Sequence, residues 1–369
     1  MTRLNFLDKS PRDIIQGLAA TYQASTGKVL YPSQVENLLL HVLAYRESLL
    51  RNDIQHCAGQ NLVAYAIGPH LDRLGDMMAC PRLQPAAAQC RVRFALAAPA
   101  PQGRSIPAGT RIATEDGGHV FLTAAPAYVL SGQSQSTIVT ATAEATGAAP
   151  NGLPTGAICK ADPAIPWVSA ENVTEADQGA DLETDEAYRA RLMLSSTAYG
   201  SGGTAAGYRY HALSASALIA DALAVPGDAS GHIVIYILTQ DGHPSGDLLA
   251  AVNERCNRPD IRIIGDYITA MPAIAVPYAI RASLTIYDTH DPALVMDRVN
   301  ALAAQFAHSH RQRLGYDVTP TQVLMALSQQ SEALYHVELH EPSGIVPIGP
   351  AQWPNCTEIE INLAGVSNG

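Results

Sequence analysis

The sequence predicts an α+β, multidomain protein with an N-terminal helical region, a central β-rich domain and C-terminal α/β units. Its 369 residues are enough for roughly two to four domains. Apolar residues recur at helical spacing before residue 85, whereas residues 90–175 are rich in Ala, Thr, Val, Gly and Pro. From about residue 181, helical and strand patterns alternate. We therefore expect four parts: 1–88 helical, 89–178 β-rich, 179–288 α/β and 289–369 a second α/β domain.

The strongest helical pattern begins after Pro32. Residues 33–36, Ser-Gln-Val-Glu, fit a capping box at the start of this helix. A second helical stretch is expected over about 53–66, and a short helix over 67–75 that stops at Gly75. The first helix has one apolar face, which either joins the core or packs in a helix bundle. As candidate interface residues we take Val35, Leu38, Leu39, Val42, Leu43 and Leu49.

The central region reads as short strands. Residues 106–110, Ile-Pro-Ala-Gly-Thr, place Pro and Gly as in a type II turn. Residues 115–118, Glu-Asp-Gly-Gly, separate two strand-like runs and predict a hairpin. Residues 137–145 alternate as a half-buried strand does. These signals favour a small sandwich or barrel.

The C-terminal half alternates helices and strands. The patterns of two segments, 204–237 and 319–363, both indicate helix, strand, Pro/Gly turn and strand, which is expected either of a shared substructure or of two short α/β units that are alike by chance. The expected helices cover about 185–197, 204–218, 245–257, 292–313 and 319–330. The expected strands cover about 219–225, 231–239, 273–287, 334–341 and 357–363.

Composition restricts the partners. The net charge of −11 argues against a large nucleic-acid footprint. No run of 18 apolar residues predicts a membrane span, and the N-terminus lacks a signal-peptide core, so we expect a cytoplasmic protein. The six cysteines are scattered and predict buried reduced thiols. Charged residues make up only 15%, which favours surface buried against other chains.

Residues 179–204 hold the densest polar cluster. Asp181, Glu183 and Asp185 have the odd spacing of a calcium loop, but the glycine and glutamate that such a loop needs are missing. Acids near a helix start favour its dipole, so we interpret them as helix initiation, with Arg189 paired to Asp185 or Glu186. The following loop lacks the Gly-Lys-Ser/Thr ending of a phosphate loop. Its glycines, Gly200, Gly202 and Gly203, are candidate hinge residues.

One further trio could carry chemistry. His336, Glu338 and His340 alternate on a predicted strand and share a face, where they could ligate zinc or iron. The alternative is that Val337 and Leu339 face the core and the trio faces solvent or a partner. No Gly-x-Ser-x-Gly elbow is present. We therefore predict no catalytic residue, no cofactor and no metal, which favours a structural role.

Several motifs, in this order, resemble the baseplate J-like proteins of contractile phage tails and tailocins. Together they cover about residues 60–290. They are Gly-Pro-His-Leu-Asp-Arg-Leu-Gly at 68–75, Ile-Pro-Ala-Gly-Thr-Arg-Ile at 106–112, Asp-Gly-Gly-His-Val-Phe at 116–121, Gly-Ala-Ala-Pro-Asn-Gly at 147–152, the acidic stretch 179–192, the glycine loop with Tyr208 and Ala212, and the Val-Pro-Gly and Ile-Val-Ile-Tyr-Ile run at 225–237.

The resemblance implies a non-enzymatic wedge component of a tail baseplate. Residues 1–88 would enter a helical junction with a second copy of the chain and a smaller wedge protein. Residues 289–369 would contact neighbouring wedges in a six-fold ring that rearranges on sheath contraction. Other baseplate subunits would be partners, with no nucleic acid and no membrane. The protein would assemble in the host cytoplasm and become part of the virion or tail-like particle. The alternatives are a tail-associated cell-wall hydrolase, using the His336 trio, and a host-binding adhesin.

Overall fold

The computed structural model describes residues 5–7, 10–161, 165, 168–200, 203–330 and 332–368, with the backbone alone at 197–200 and 330. Within these residues the chain forms eight α-helices and fourteen β-strands. The chain divides into two compact units. Unit 1 comprises residues 1–82 and 188–193, and unit 2 comprises residues 83–187 and 194–369. The expected mixed α and β architecture is confirmed.

Unit 1 is built from helices. They are α1 (Pro11–Thr26), α2 (Val35–Gly59) and α3 (Pro69–Met77). Ser10 and Asp13 form a capping box at the start of α1, and Gly27 ends it in the left-handed region with a φ of 69°. The capping box predicted at residues 33–36 is wrong, because Gln34 is the N-cap and its side chain makes no cap hydrogen bond. The predicted break near residue 53 is also wrong, since α2 runs unbroken for 25 residues.

Unit 2 contains a six-stranded sheet with the strand order β7-β3-β4-β6-β1-β8 and antiparallel pairs throughout. Its alternating inward residues, among them Val92, Phe94, Ile112 and Phe121, form one buried cluster. The strands of this region are β1 (Ala87–Leu96), β2 (Arg104–Ile106), β3 (Arg111–Thr114), β4 (Val120–Thr123), β5 (Ala127–Val129), β6 (Val139–Thr146), β7 (Ile158–Ala161) and β8 (Val168–Asn172).

Asn172 links the two outer strands of this sheet. The side chain is 1% exposed, and its Oδ1 accepts from the Ile158 amide at 2.9 Å. Its Nδ2 donates to the carbonyls of Pro154 and Thr174 at 2.9 and 2.8 Å. Backbone groups at the β7 edge therefore bond within the chain, and the sheet curls toward a barrel.

A three-stranded sheet follows in the order β11-β10-β9, with β9 antiparallel and β11 parallel to β10. Its buried face packs with α5 and α6 around Ile235, Ile237 and Val252. The elements from α4 onward are α4 (Asp185–Gly200), α5 (Ala205–Leu213), β9 (Ile219–Pro226), β10 (His232–Thr239), α6 (Gly246–Cys256) and β11 (Tyr267–Pro272).

The C-terminal elements are β12 (Ile274–Tyr287), α7 (Pro292–Arg311), α8 (Pro320–Leu327), β13 (Leu334–Glu341) and β14 (Gln352–Ser367). β12 lies in the middle of their sheet, antiparallel to β13 and parallel to β14. The repeat suggested by segments 204–237 and 319–363 does not extend to strand pairing. β9 pairs with β10, whereas β13 and β14 lie on opposite sides of β12. The similar order of patterns reflects two α/β units with different topology.

Replacing Asn172 by Ala tests the closure of the barrel sheet. The change removes the partners of one buried amide and two carbonyls, each worth about 1–3 kcal/mol. We expect the free energy of unfolding to fall by about 3 kcal/mol in urea denaturation. Asn362→Ala is the matched control, because Asn362 is exposed and bonds the Glu360 side chain. Equal stability of the two variants would contradict the role of Asn172.

Candidate assembly interface

An apolar surface of unit 1 lies along α2. All six candidate residues are exposed, from 39% for Leu49 to 68% for Val35. Tyr45, Leu50 and Ile54 on the same helix are exposed as well. Val35, Leu38, Val42, Tyr45 and Leu49 follow the alternating three- and four-residue spacing of a coiled-coil seam. Tyr45, which the candidate list lacks, could have been found by continuing that spacing from Leu38.

The apolar face is exposed because α1 packs against another face of α2. Ala44 is the buried residue of α2, and Leu40, Glu47 and Arg51 near its line are half-buried. Glu47 and Arg51 form an ion pair at 2.6 Å within the helix. The covered face thus holds Leu40 beside the small Ala44 and two charged residues, whereas most of the large apolar side chains of α2 stay exposed. An apolar stripe of this extent marks an interaction site more often than a free surface.

The polar side chains at 179–192 form hydrogen bonds with backbone groups elsewhere in the chain. In unit 1, the Tyr188 hydroxyl donates to the Cys80 carbonyl at 2.7 Å, and burial raises the pKa of Tyr188 to about 12. Arg189 donates to the carbonyls of Val63 and Ala66 at 2.8 and 2.6 Å. Arg191, which is 3% exposed, donates to the Pro81 carbonyl at 2.8 Å. We call Tyr188, Arg189 and Arg191 the α4 clamp.

The hydrogen-bond partners of Arg189 differ from those expected from the sequence. We expected an ion pair with Asp185 or Glu186, but its guanidinium bonds backbone carbonyls more than 100 residues away in sequence. Close packing supports the arrangement, because a Cβ at Gly75 would overlap the Tyr188 hydroxyl. Carbonyls outside helices need such donors when they are buried. The two arginines supply them with charge-assisted hydrogen bonds.

The acids of this stretch bond backbone amides of unit 2. Asp181 accepts from the Ala148 amide at 3.0 Å, and Glu183 accepts from the Leu83 amide at 2.9 Å. Thr184 accepts from the Ala187 amide at 3.3 Å, as a cap of α4 does. In the part of the chain that is described, no group of three or more His, Cys, Asp or Glu residues could hold a metal ion.

Of the three candidate hinge residues, Gly200 is the last residue of α4 and is therefore helical. Gly202 lies outside the described residues. Gly203 has a φ of 75°, and a Cβ there would overlap the Ile263 side chain. This backbone conformation and close approach explain the glycine at 203.

His336, Glu338 and His340 are exposed on β13, and Val337 and Leu339 between them pack toward the core. His340 Nε2 lies 2.7 Å from Ser283 Oγ, and the trio forms no metal-binding group. On the neighbouring strands, Arg281 bonds Glu341 and Glu358 at 3.1 and 2.6 Å. This face of the sheet is a solvated network of charges, as the second interpretation expected.

Among the described helices, none combines the length and the apolar composition that a membrane span requires.

The succession of helices, barrel sheet and α/β sheet defines a multidomain α+β class of protein. Models of three domains of one family match the chain in order. They are the baseplate J-like N-terminal domain at residues 35–89, the baseplate J-like barrel domain at 91–179 and the baseplate J-like central domain at 200–272. These matches cover more than half of the chain, which therefore belongs to the baseplate J-like family.

Two individual proteins are similar to the chain. The chain is 28% identical over 201 residues to baseplate protein J of Escherichia phage P2, an alignment that covers 53% of this chain and 64% of that protein. The chain thus spans less than two thirds of this relative. A cryo-EM structure of the baseplate of the anti-feeding prophage contains a chain with a TM-score of 0.43 and 15% identity, over 94% of this chain and 89% of that one.

Tyr188→Phe tests the α4 clamp. The loss of one buried hydroxyl donor leaves the Cys80 carbonyl unpaired, and we expect the free energy of unfolding to fall by about 1–2 kcal/mol. The raised pKa also stabilises the fold below about pH 10, and this contribution is lost as the pH rises toward 12. Urea denaturation between pH 8 and 11.5 should therefore show a flatter pH dependence in the variant. Tyr316→Phe, at an exposed tyrosine, is the control and should change neither quantity.

Proposed function

We propose that this protein is a structural, non-enzymatic wedge component of the baseplate of a contractile tail. The observation that carries the proposal is the exposed coiled-coil seam of α2 in a chain of the baseplate J-like family. A helix of 25 residues is about 37 Å long, which suffices for a bundle of several heptads. The partners of the seam are a second copy of the chain and a smaller wedge protein.

The remaining parts of the proposal concern the assembled particle. The C-terminal α/β part contacts neighbouring wedges and other baseplate subunits in a six-fold ring around the central spike and tube. The ring holds the sheath extended and rearranges on contraction. Assembly takes place in the host cytoplasm, and the product is part of the virion or tail-like particle, without nucleic-acid or membrane contacts. The net charge of −11 and the low share of charged residues support protein partners.

Introducing two negative charges into the α2 seam by substitution tests its role in assembly. Leu38→Glu with Val42→Glu should lower the affinity for the wedge partners by about 100-fold or more, because carboxylates would be buried in the bundle. Co-expression with neighbouring tail proteins, followed by size-exclusion chromatography and electron microscopy, measures the complex. The isolated variant should keep its thermal midpoint, since both side chains are more than half exposed.

Met325→Glu on α8 is the matched control, because Met325 is 70% exposed on another helix. It should form wedges normally. A seam variant that still yields complexes containing two copies of the chain would sink the proposal. So would a wild-type chain that stays monomeric beside all the tail proteins.

The glycine segment is proposed as a hinge between the arm and the ring-forming part. Gly202→Pro with Gly203→Pro should block assembly or contraction, since proline fixes φ near −65° and Gly203 has a φ of 75°. Ala205→Pro is the control two residues away. It falls at the first position of α5, after Thr204 in extended conformation, where proline is tolerated. Sheaths of the double variant that contract at the normal rate in electron micrographs would rule out the hinge.

A further inference from the structure

Unit 2 contains an open cleft of about 940 Å³ between the barrel sheet and the β9–β11 sheet. Its barrel wall includes the start of β1 and residues 174–178, and its other wall includes Thr239 and residues 241–248. Hydrogen bonds fix both walls, through backbone groups on the barrel wall and through the helix cap on the other. The amide and carbonyl of Asp177 bond those of Gln89 at 2.9 and 2.7 Å, and α6 begins in the cleft behind its N-cap, Ser245.

The charge of the cleft is negative. Glu175 and Asp177 lie on the barrel wall, and Asp241 and Asp247 lie on the opposite wall. Arg91 is the arginine of the lining, so four carboxylates face one guanidinium beside the imidazole of His243. The N-terminus of α6 adds about half a positive charge. The carboxylates outweigh both contributions and leave a site that attracts cations.

Two polar atoms of the lining have no hydrogen-bond partner. Thr239 is 6% exposed, and its Oγ1 is unpaired on one wall. On the other wall the Oδ2 of Asp177 is unpaired. Buried polar groups without partners are rare and costly, so such a pair in one cleft points to a ligand that supplies donors. Gln178 supports a prepared site, because it holds a φ of 70° and donates to Asp247 Oδ2 at 3.1 Å across the cleft.

We propose that this cleft docks an arginine-bearing segment of a neighbouring protein subunit. A guanidinium offers five donors and no acceptor, and it binds carboxylates in bidentate geometry. Asp177 and Asp241, one on each wall, receive it. The volume of about 940 Å³ leaves room for the backbone that carries the side chain. The inference uses the proposed baseplate role only for the source of the segment, since binding can be measured on the isolated chain.

The probe is an acetylated and amidated Gly-Arg-Gly-Arg-Gly peptide, titrated into the full chain at 50 mM NaCl. Calorimetry gives the affinity, and tryptophan fluorescence locates the site. The ring of Trp353 lies 5.7 Å from the ring of His243, which lines the cleft. Trp167, the other tryptophan of the chain, is replaced by Phe in every protein tested, so that the fluorescence comes from Trp353. We expect saturable binding that weakens at 300 mM NaCl and a change in the emission of Trp353.

Asp177→Asn and Asp241→Asn should each weaken peptide binding by about tenfold, the loss of one charge-assisted bond. Asp228→Asn is the matched control, because Asp228 is exposed in the turn before β10 and does not line the cleft. It should bind as the wild type does. Normal binding by both cleft variants, or an equal loss in the control, would overturn the proposal.

Two further titrations distinguish other cations. Spermidine or CaCl₂ that binds as tightly as the peptide and displaces it would show a small-cation site and overturn the peptide assignment. A Gly-Gln-Gly-Gln-Gly peptide of equal affinity would show that charge is not recognised. Wedge assembly through α2 is scored separately on the seam variants, so a failure of the cleft leaves the proposed function standing, and the reverse also holds.

Discussion

The α4 clamp is the interaction on which the N-terminal unit depends. Segment 60–82 has little helix beyond α3, so several of its carbonyls have no partner within the segment. Tyr188, Arg189 and Arg191 supply donors to four of these residues from one helix. Residues 188–193 are counted in unit 1, whereas the rest of α4 is counted in unit 2. One continuous helix therefore belongs to both units, and covalent continuity couples whatever α2 binds to the remainder of the chain.

The α2 seam is the exposed apolar part of the same unit. A protein stabilised by its own core would bury Leu38, Val42 and Leu49, yet α1 packs against the face centred on Ala44. Each large apolar side chain left in water forgoes about 1.5–3 kcal/mol of burial. A chain with only 15% charged residues has few means to offset such a surface. The seam thus leaves apolar area unburied in the single chain, which fits its proposed role in a helix bundle.

Sequence reasoning succeeded where the determinants are local. The spacing of apolar residues located most of α2 and its apolar face, and turn residues and alternation located β3, β4 and β6 of the barrel sheet. It failed for Arg189, because a donor that bonds the carbonyls of Val63 and Ala66 leaves no short-range pattern. It also missed the role of Asn172, whose side chain forms hydrogen bonds with backbone groups of residues 154, 158 and 174. Hydrogen bonds between a side chain and a distant backbone group depend on the tertiary structure. They leave no periodic pattern in the sequence that could predict them.

The sheet edges restrict assembly to side-chain surfaces. On β11, Asn253 accepts from the Ala270 amide at 2.7 Å, and Asn257 donates to the Ile268 carbonyl at 2.9 Å, so amide side chains from α6 occupy that edge. β13 carries Glu338 and Glu341, and the pairing of β12 with β14 shifts register twice. Charges, shifts and occupied backbone groups all discourage edge-to-edge pairing. In a particle that packs many copies closely, indiscriminate strand pairing would compete with ordered contacts. Such edges favour recognition through side chains, as we propose for the apolar seam of α2 and the acidic cleft.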